Sequence, residues 1–404
     1  MARGRWGGVS TKSLTDTLRR LEEHGIVQGV QLGTQLGTCS FCTPPAPRGE
    51  RDPTDEHASA HAASATRRTS TPPRHAASAT PRDERVPARR GVLWSAKGWK
   101  TTKGARMGVK IREGYIPFEG YKTYYRIAGE CDQGRLPLLA LHGGPGTTHW
   151  YLRSLDGIAE RYGRAVIYYD QIGCGYSRTP SMPDFWREEL FEHELVEVRR
   201  ALGLDHVHIL GQSWGGMLLM RYATHRPAGV ASMVVASSPA SADVWVKEAQ
   251  RLRSYLPDDM AAALIQADED GDYDRPEVKA ATAEYYLRHV SRIPESERKG
   301  TLAFPEDDPV GTEVYNVMQG KSEFVITGKM RDFDVTADLP RICIPTLVTS
   351  GEADECTPYI AKQVADGIPG AEWHLFGDGA THCVHLEIPD EYNAVVEEFL
   401  ERHE

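Results

Sequence analysis

The sequence predicts a doubly wound α/β fold, a mostly parallel sheet interrupted by a helical cap. Three observations carry that expectation. Short apolar runs alternate with helical patterns through glycine-rich turns. Several of these runs are apolar at every position, as strands covered on both faces must be. The alternation then stops for about a hundred residues of charge-laced helical sequence before it resumes.

Taken in order, Ile111–Phe118 and Tyr121–Ile127 are alternating strands around Glu119-Gly120, a hairpin signal. Leu138–His142 is a continuous apolar strand running into Gly143-Gly144-Pro145-Gly146, and Val166–Asp170 is the next, ending in Gln171-Ile172-Gly173-Cys174-Gly175-Tyr176-Ser177. A helix over Glu188–Leu202 leads to the strand Val207–Leu210. Further strands follow at Ser232–Ser237, Ile344–Ser350 and Glu372–Phe376. The core is expected over residues 107–239 and 340–404. Residues 240–339 form the cap, placed above the carboxyl ends of the strands, where it would shape a substrate pocket.

Composition bounds the rest. The 404 residues are 40% hydrophobic and 26% charged, enough for one sizeable core. No run of eighteen apolar residues exists, so no membrane span is expected, and no apolar stretch follows the basic residues at the N-terminus, so no secretory signal is expected. Seven scattered cysteines suit reduced thiols in a cytoplasm. Cys39-Ser40-Phe41-Cys42 has the gap of a zinc pair, but no second pair completes it, and no metal or cofactor is expected.

The net charge of -10 hides two regimes. Residues 1–106 carry 18 Lys and Arg against 9 Asp and Glu, whereas the remainder carries 29 against 48. Residues 44–92 are rich in Pro, Ala, Ser, Thr and Arg, and His61–Thr66 recurs at His75–Thr80. Such a segment cannot offset its ordering entropy by burial, so residues 1–106 are expected to be a largely disordered extension. Within it, Leu14, Leu18 and Leu21 share one face of a short amphipathic helix that Gly25 would stop. That helix resembles the recognition helix of small winged-helix regulators over about twenty residues. No wing or companion helices follow, so nucleic acid is not an expected partner. Met107 would make a natural start for the folded domain.

The chemistry centres on Gly211-Gln212-Ser213-Trp214-Gly215. A short strand breaks at a glycine and turns at once into a helix, with the serine at the apex of a turn that only small neighbours permit. Helix amides behind Ser213 point at any negative charge that develops in front of it. A free hydroxyl is a poor nucleophile, and in this fold the acid and then the histidine follow the serine. Asp354 and His382, each at the carboxyl end of a strand, are the expected partners. Glu352 is the alternative acid and His385 the alternative base, the latter three residues further and inside the next helix. Oxyanion donors would be the amides of Trp214 and of Gly143 or Gly144.

These residues resemble the proline iminopeptidase family of serine aminopeptidases, including its tricorn-interacting branch, on the α/β-hydrolase fold. The similarity rests on His142–Gly146, Asp170–Ser177, Gly211–Gly216, Gly351–Glu355 and Ser322-Glu323-Phe324-Val325-Ile326-Thr327-Gly328, and spans about residues 110–402. Ile172 departs from it, since many members carry arginine there; the turn is kept and an ion-pair donor is lost. The resemblance implies release of an N-terminal residue, often proline, from short peptides with a free N-terminus. It places Glu323, Glu355 and, as a lesser candidate, Tyr315 around the substrate's ammonium group, a cation that partly withdrawn carboxylates hold well. An amino-acid amidase or esterase with the same triad is the alternative.

Overall fold

The hairpin, the buried strands and the interruption all recur in the computed structural model, which describes residues 109–131, 134–293, 297 and 311–404. The expectations for residues 1–106, including the short helix and the Cys39/Cys42 pair, lie outside the described residues. Strands β1 (Ile111–Phe118) and β2 (Tyr121–Ala128) pair antiparallel through the Glu119-Gly120 turn. Then come β3 (Leu138–Leu141), helix α1 (Asp156–Tyr162), β4 (Val166–Tyr169), α2 (Glu188–Ala201), β5 (Val207–Gln212), α3 (Trp214–Thr224) and β6 (Val230–Ala236). The eight-stranded sheet has the order β1-β2-β4-β3-β5-β6-β7-β8, parallel from β4 onward across it, where β7 is Thr346–Gly351 and β8 is Glu372–Phe376.

Side chains of the central strands divide between two faces, as the two-residue period of a strand requires. Leu139, Leu141, Ile167 and Ile209 enter one apolar cluster with Phe191 of α2 and Leu218 of α3. Leu138, Ala140, Val166 and Leu210 enter the other with Ile158 of α1 and with Val396 and Phe399 near the C-terminus. Helices therefore cover both faces, and the uninterrupted hydrophobicity of these strands is explained.

Among the described residues between β6 and β7 stand four cap helices, α4 (Ala242–Arg253), α5 (Asp258–Asp270), α6 (Pro276–His289) and α7 (Thr312–Met318). They carry a core of their own, in which Leu252, Leu264, Val278, Tyr285 and Phe324 meet. After β7 come α8 (Pro358–Gly367), β8, a short α9 (Val384–Glu387) and α10 (Pro389–Glu401). Arg164, fully buried before β4, donates to Glu397 on α10 at 2.7 and 2.9 Å. Removing one partner of such a pair costs about 3–5 kcal/mol, so the last helix is firmly seated.

Candidate active site

Ser213 directly follows β5 and caps α3 with φ 55° and ψ −126°, a conformation that costs a non-glycine residue on the order of 1–3 kcal/mol. The surroundings enforce it. A Cβ on Gly211 would stand 2.2 Å from the Gly215 carbonyl oxygen, and one on Gly215 would stand 2.2 Å from that of Leu141. The two flanking glycines are therefore demanded by backbone packing, and the serine is left at the top of the sheet.

The turn after β7 places Asp354, and the loop after β8 places His382. Nδ1 of His382 lies 2.8 Å from Oδ1 of Asp354. A carboxylate only accepts, so Nδ1 carries the hydrogen and Nε2 is the remaining ring nitrogen. Asp354 is itself held by the amides of Cys356 (2.7 Å) and Gly351 (3.3 Å). Glu352 turns elsewhere and accepts the Gly379 amide at 3.1 Å. His385 is buried on α9, its ring packed against Tyr151 and Tyr392.

The cap docks on both of these loops. The His289 carbonyl, at the end of α6, accepts the amides of Glu355 (3.1 Å) and His382 (3.0 Å), and the Val290 carbonyl accepts that of Cys383 (2.9 Å). Motif reading had no means of finding His289, because its contribution comes from a helix end with no sequence pattern.

On the opposite side, the Gly143 N–H donates to the Tyr151 hydroxyl at 2.6 Å, so of the two glycines expected as oxyanion donors this one has its amide engaged in the empty site. Gly144 lines the cavity with Ser213, and the first amide of α3, that of Trp214, has no intrahelical acceptor. Tyr151 in turn donates to Oε1 of Gln212 at 2.5 Å, and Gln212 donates to the His382 carbonyl at 3.3 Å. Gln171 bridges the same two segments, donating to the His142 carbonyl (2.8 Å) and accepting the Trp214 indole N–H (2.9 Å).

Ser213, Trp214, His382, Glu323, Glu355 and Tyr315 all line one cavity of about 390 Å³. Its remaining wall is largely apolar, with Met217, Pro239, Trp245, Ile326 and Met330. Glu323 accepts from the hydroxyls of Tyr315 and Tyr286, the latter at 3.1 Å. Glu355 is buried; its Oε2 makes no hydrogen bond of good geometry among the described residues, and the nearby Tyr285 hydroxyl only weakly favours its charged form. Its Oε1 lies 3.7 Å from Nε2 of His382. Burial pushes the Glu355 carboxyl well above its ordinary range; His382 opposes this, while Glu323 and Asp354 add to it. Burial also works against the charged form of His382, but Asp354 and Glu355 prevail and hold it up to about 9. Tyr286 and Trp245, whose ring lies 6.1 Å from that of His382, escaped sequence reading because they sit on cap helices without a motif.

Ile172 is buried, and its amide donates to both oxygens of Glu194 at 3.0 Å. Glu194 also accepts from the Thr123 hydroxyl at 2.5 Å. Its partners are a hydroxyl and an amide in place of a cation, and burial pushes it up to about 8.

A strained serine at the end of a buried parallel strand, with a carboxylate-bound histidine in the same cavity, belongs to the serine hydrolases of the α/β-hydrolase class. A family model described as alpha/beta hydrolase fold matches residues 137–389. The chain is 43% identical over 297 residues to the proline iminopeptidase of Clostridium botulinum, which covers 73% of this chain and 100% of that one. It is 44% identical over 293 residues to the proline iminopeptidase of Lacticaseibacillus rhamnosus, covering 72% and 99%. The crystal structure of the Mycobacterium smegmatis proline iminopeptidase superposes with a TM-score of 0.65 at 38% identity, over 72% of this chain and 98% of that one. The chain belongs to the proline iminopeptidase family.

Proposed function

We propose that this enzyme is a serine aminopeptidase that releases an N-terminal residue, proline by preference, from short peptides. The observation that carries the reading is the buried Glu355, which among the described residues has no cationic partner within its side chain's reach other than His382 and lines the same cavity as Ser213, with Glu323 as a second carboxylate there. A buried carboxylate so short of partners is costly, and a cationic amino end supplies what is missing. The apolar wall of Met217, Trp245, Ile326 and Met330 suits a pyrrolidine ring.

With the amino end held there, the scissile carbonyl meets Ser213. The Ser213 oxygen attacks as its proton passes to Nε2 of His382, while Asp354 orients the ring and offsets its charge. The amides of Trp214 and Gly144 take the negative oxygen of the tetrahedral intermediate. The proton then goes from His382 to the leaving amine as the C–N bond breaks, leaving a prolyl ester on Ser213. Water, deprotonated by His382, resolves the ester and frees the amino acid.

Among the described residues no helix is long and apolar enough to cross a membrane. The cysteines at positions 343 and 356 form no disulfide, which supports a reducing, cytoplasmic setting. The function is tested with Ser213→Ala: hydrolysis of a prolyl arylamide should fall by roughly 10⁵–10⁶-fold with the thermal unfolding midpoint retained. Activity within tenfold of the parent enzyme would rule the mechanism out.

A further inference from the structure

The atom of His382 that must receive the Ser213 proton is Nε2, and that same atom faces Oε1 of Glu355 at 3.7 Å. Both side chains are about 6% exposed, so water screens the contact little. An imidazole that already carries a proton on Nε2 is no base. We propose that Glu355, beyond anchoring the substrate, holds a proton on the Glu355–His382 couple in the empty site, and that the incoming ammonium group expels it. The general base is then created only by a substrate whose amino end is free and positively charged.

This deepens the aminopeptidase reading and rests on it. The surrounding charges point one way. His382 faces Asp354 and Glu355 from the turn after β7 and Glu323 from the cap, and these three carboxylates are its main electrostatic partners. Burial and this acidic company hold the imidazolium up to about 9, and push the Glu355 carboxyl up as well. The two groups therefore titrate as a pair, and whichever of them carries the shared proton, a cation placed against Glu355 favours its loss. The cap cations that reach this end of the site, Arg251 and Arg288, act on His289 and are each paired with a cap glutamate, Glu248 at 2.7 Å and Glu284 at 2.6 Å. Burial pushes His289 down to about 4, so it stands neutral, and the hydroxyls of Tyr285, Tyr286 and Tyr315 are pushed well above their ordinary range. Linkage makes the effect reciprocal: if the proton opposes the ammonium, the ammonium opposes the proton to the same extent.

The consequence is a second layer of selectivity. An N-blocked or neutral acyl compound lacks the anchor and also meets an Nε2 engaged by the shared proton. A cationic substrate gains both.

The test reads the base in two states of the full chain. A neutral alkyl fluorophosphonate, which loses fluoride as Ser213 forms its P–O bond and His382 takes the proton, reports the empty site. The kcat of a prolyl arylamide reports the occupied one. In the parent enzyme the acid limb for phosphonylation should stand near pH 9, and that of kcat at least one unit lower; coincident limbs would overturn the proposal without any variant. Glu355→Gln should move the phosphonylation limb down by at least one unit, so that at pH 7 Ser213 is modified about tenfold faster than in the parent. The same variant should lose at least a hundredfold in kcat/KM on the prolyl arylamide. An unmoved phosphonylation limb with that loss would sink the proton-holding role and leave the anchor standing. Unchanged kcat/KM on the arylamide would instead remove the anchor, and with it the aminopeptidase reading.

Discussion

Nδ1 of His289, at the end of cap helix α6, lies 2.9 Å from the carbonyl oxygen of Ala353. A carbonyl only accepts, so the ring donates, and it does so as a buried neutral imidazole. Ala353 directly precedes Asp354 and Glu355, and the His289 carbonyl holds the amides of Glu355 and His382. This end of the cap is a fixed wall of the site.

Replacing His289 with leucine should therefore loosen the Asp354–His382 geometry from a distance. We expect kcat/KM on a prolyl arylamide to fall about 10–100-fold, chiefly in kcat, while His289→Asn, which keeps a donor, retains most of it. Equal losses in the two variants would contradict this account of the contact.

Gln171 ties the His142 carbonyl to the Trp214 indole, and so ties together the two segments that we propose supply the oxyanion amides. Gln171→Leu leaves both partners unsatisfied in a buried setting, each at about 1–3 kcal/mol. Steady-state kinetics should show kcat reduced at least tenfold with KM within about threefold. A change confined to KM would assign Gln171 to binding instead.

Tyr315 and Tyr286 both donate to Glu323 and so keep its carboxylate aimed into the cavity. Tyr315→Phe should raise KM about three- to tenfold with kcat nearly constant, and Glu323→Gln should raise it further. The ordering of the two variants checks the idea that the tyrosine acts through the glutamate.

Glu194 gives a pH dependence unrelated to catalysis. Burial raises its carboxyl to about 8 in the fold, against about 4.3 in an unfolded chain. A raised carboxyl stabilises the fold fully below the unfolded value, and that contribution is lost as pH climbs toward 8. Between those limits the loss approaches about 1.4 kcal/mol per pH unit. Urea unfolding at pH 5.5 and 7.5 should show Glu194→Gln gaining on the parent enzyme as pH rises. A constant difference would mean that Glu194 is ionised throughout.

Much of this molecule was legible in its sequence because the relevant physics is local. A strand buried on both faces has to be apolar throughout, which exposed β3, β4 and β5, and a strained turn has to have small neighbours, which exposed Ser213. Asp354 and His382 could be located because strand ends are where this fold gathers its loops. What escaped depends on contacts made at long range. That the Gly143 amide is engaged by the Tyr151 hydroxyl, eight residues away and on a different segment, leaves no local pattern. Tyr286, Trp245 and His289 belong to amphipathic cap helices, where a residue facing the site has the same spacing as one facing the cap's own core. The replacement of arginine by Ile172 was visible, but not that its amide would serve Glu194.

The measurement closest to the central claim compares a prolyl arylamide with its N-acetylated form on the parent enzyme and on Glu323→Gln/Glu355→Gln. If the two carboxylates select a charged amino end, acetylation should lower kcat/KM at least a thousandfold in the parent and by less than about tenfold in the double variant. Comparable turnover of the free and acetylated compounds by the parent enzyme would contradict the account.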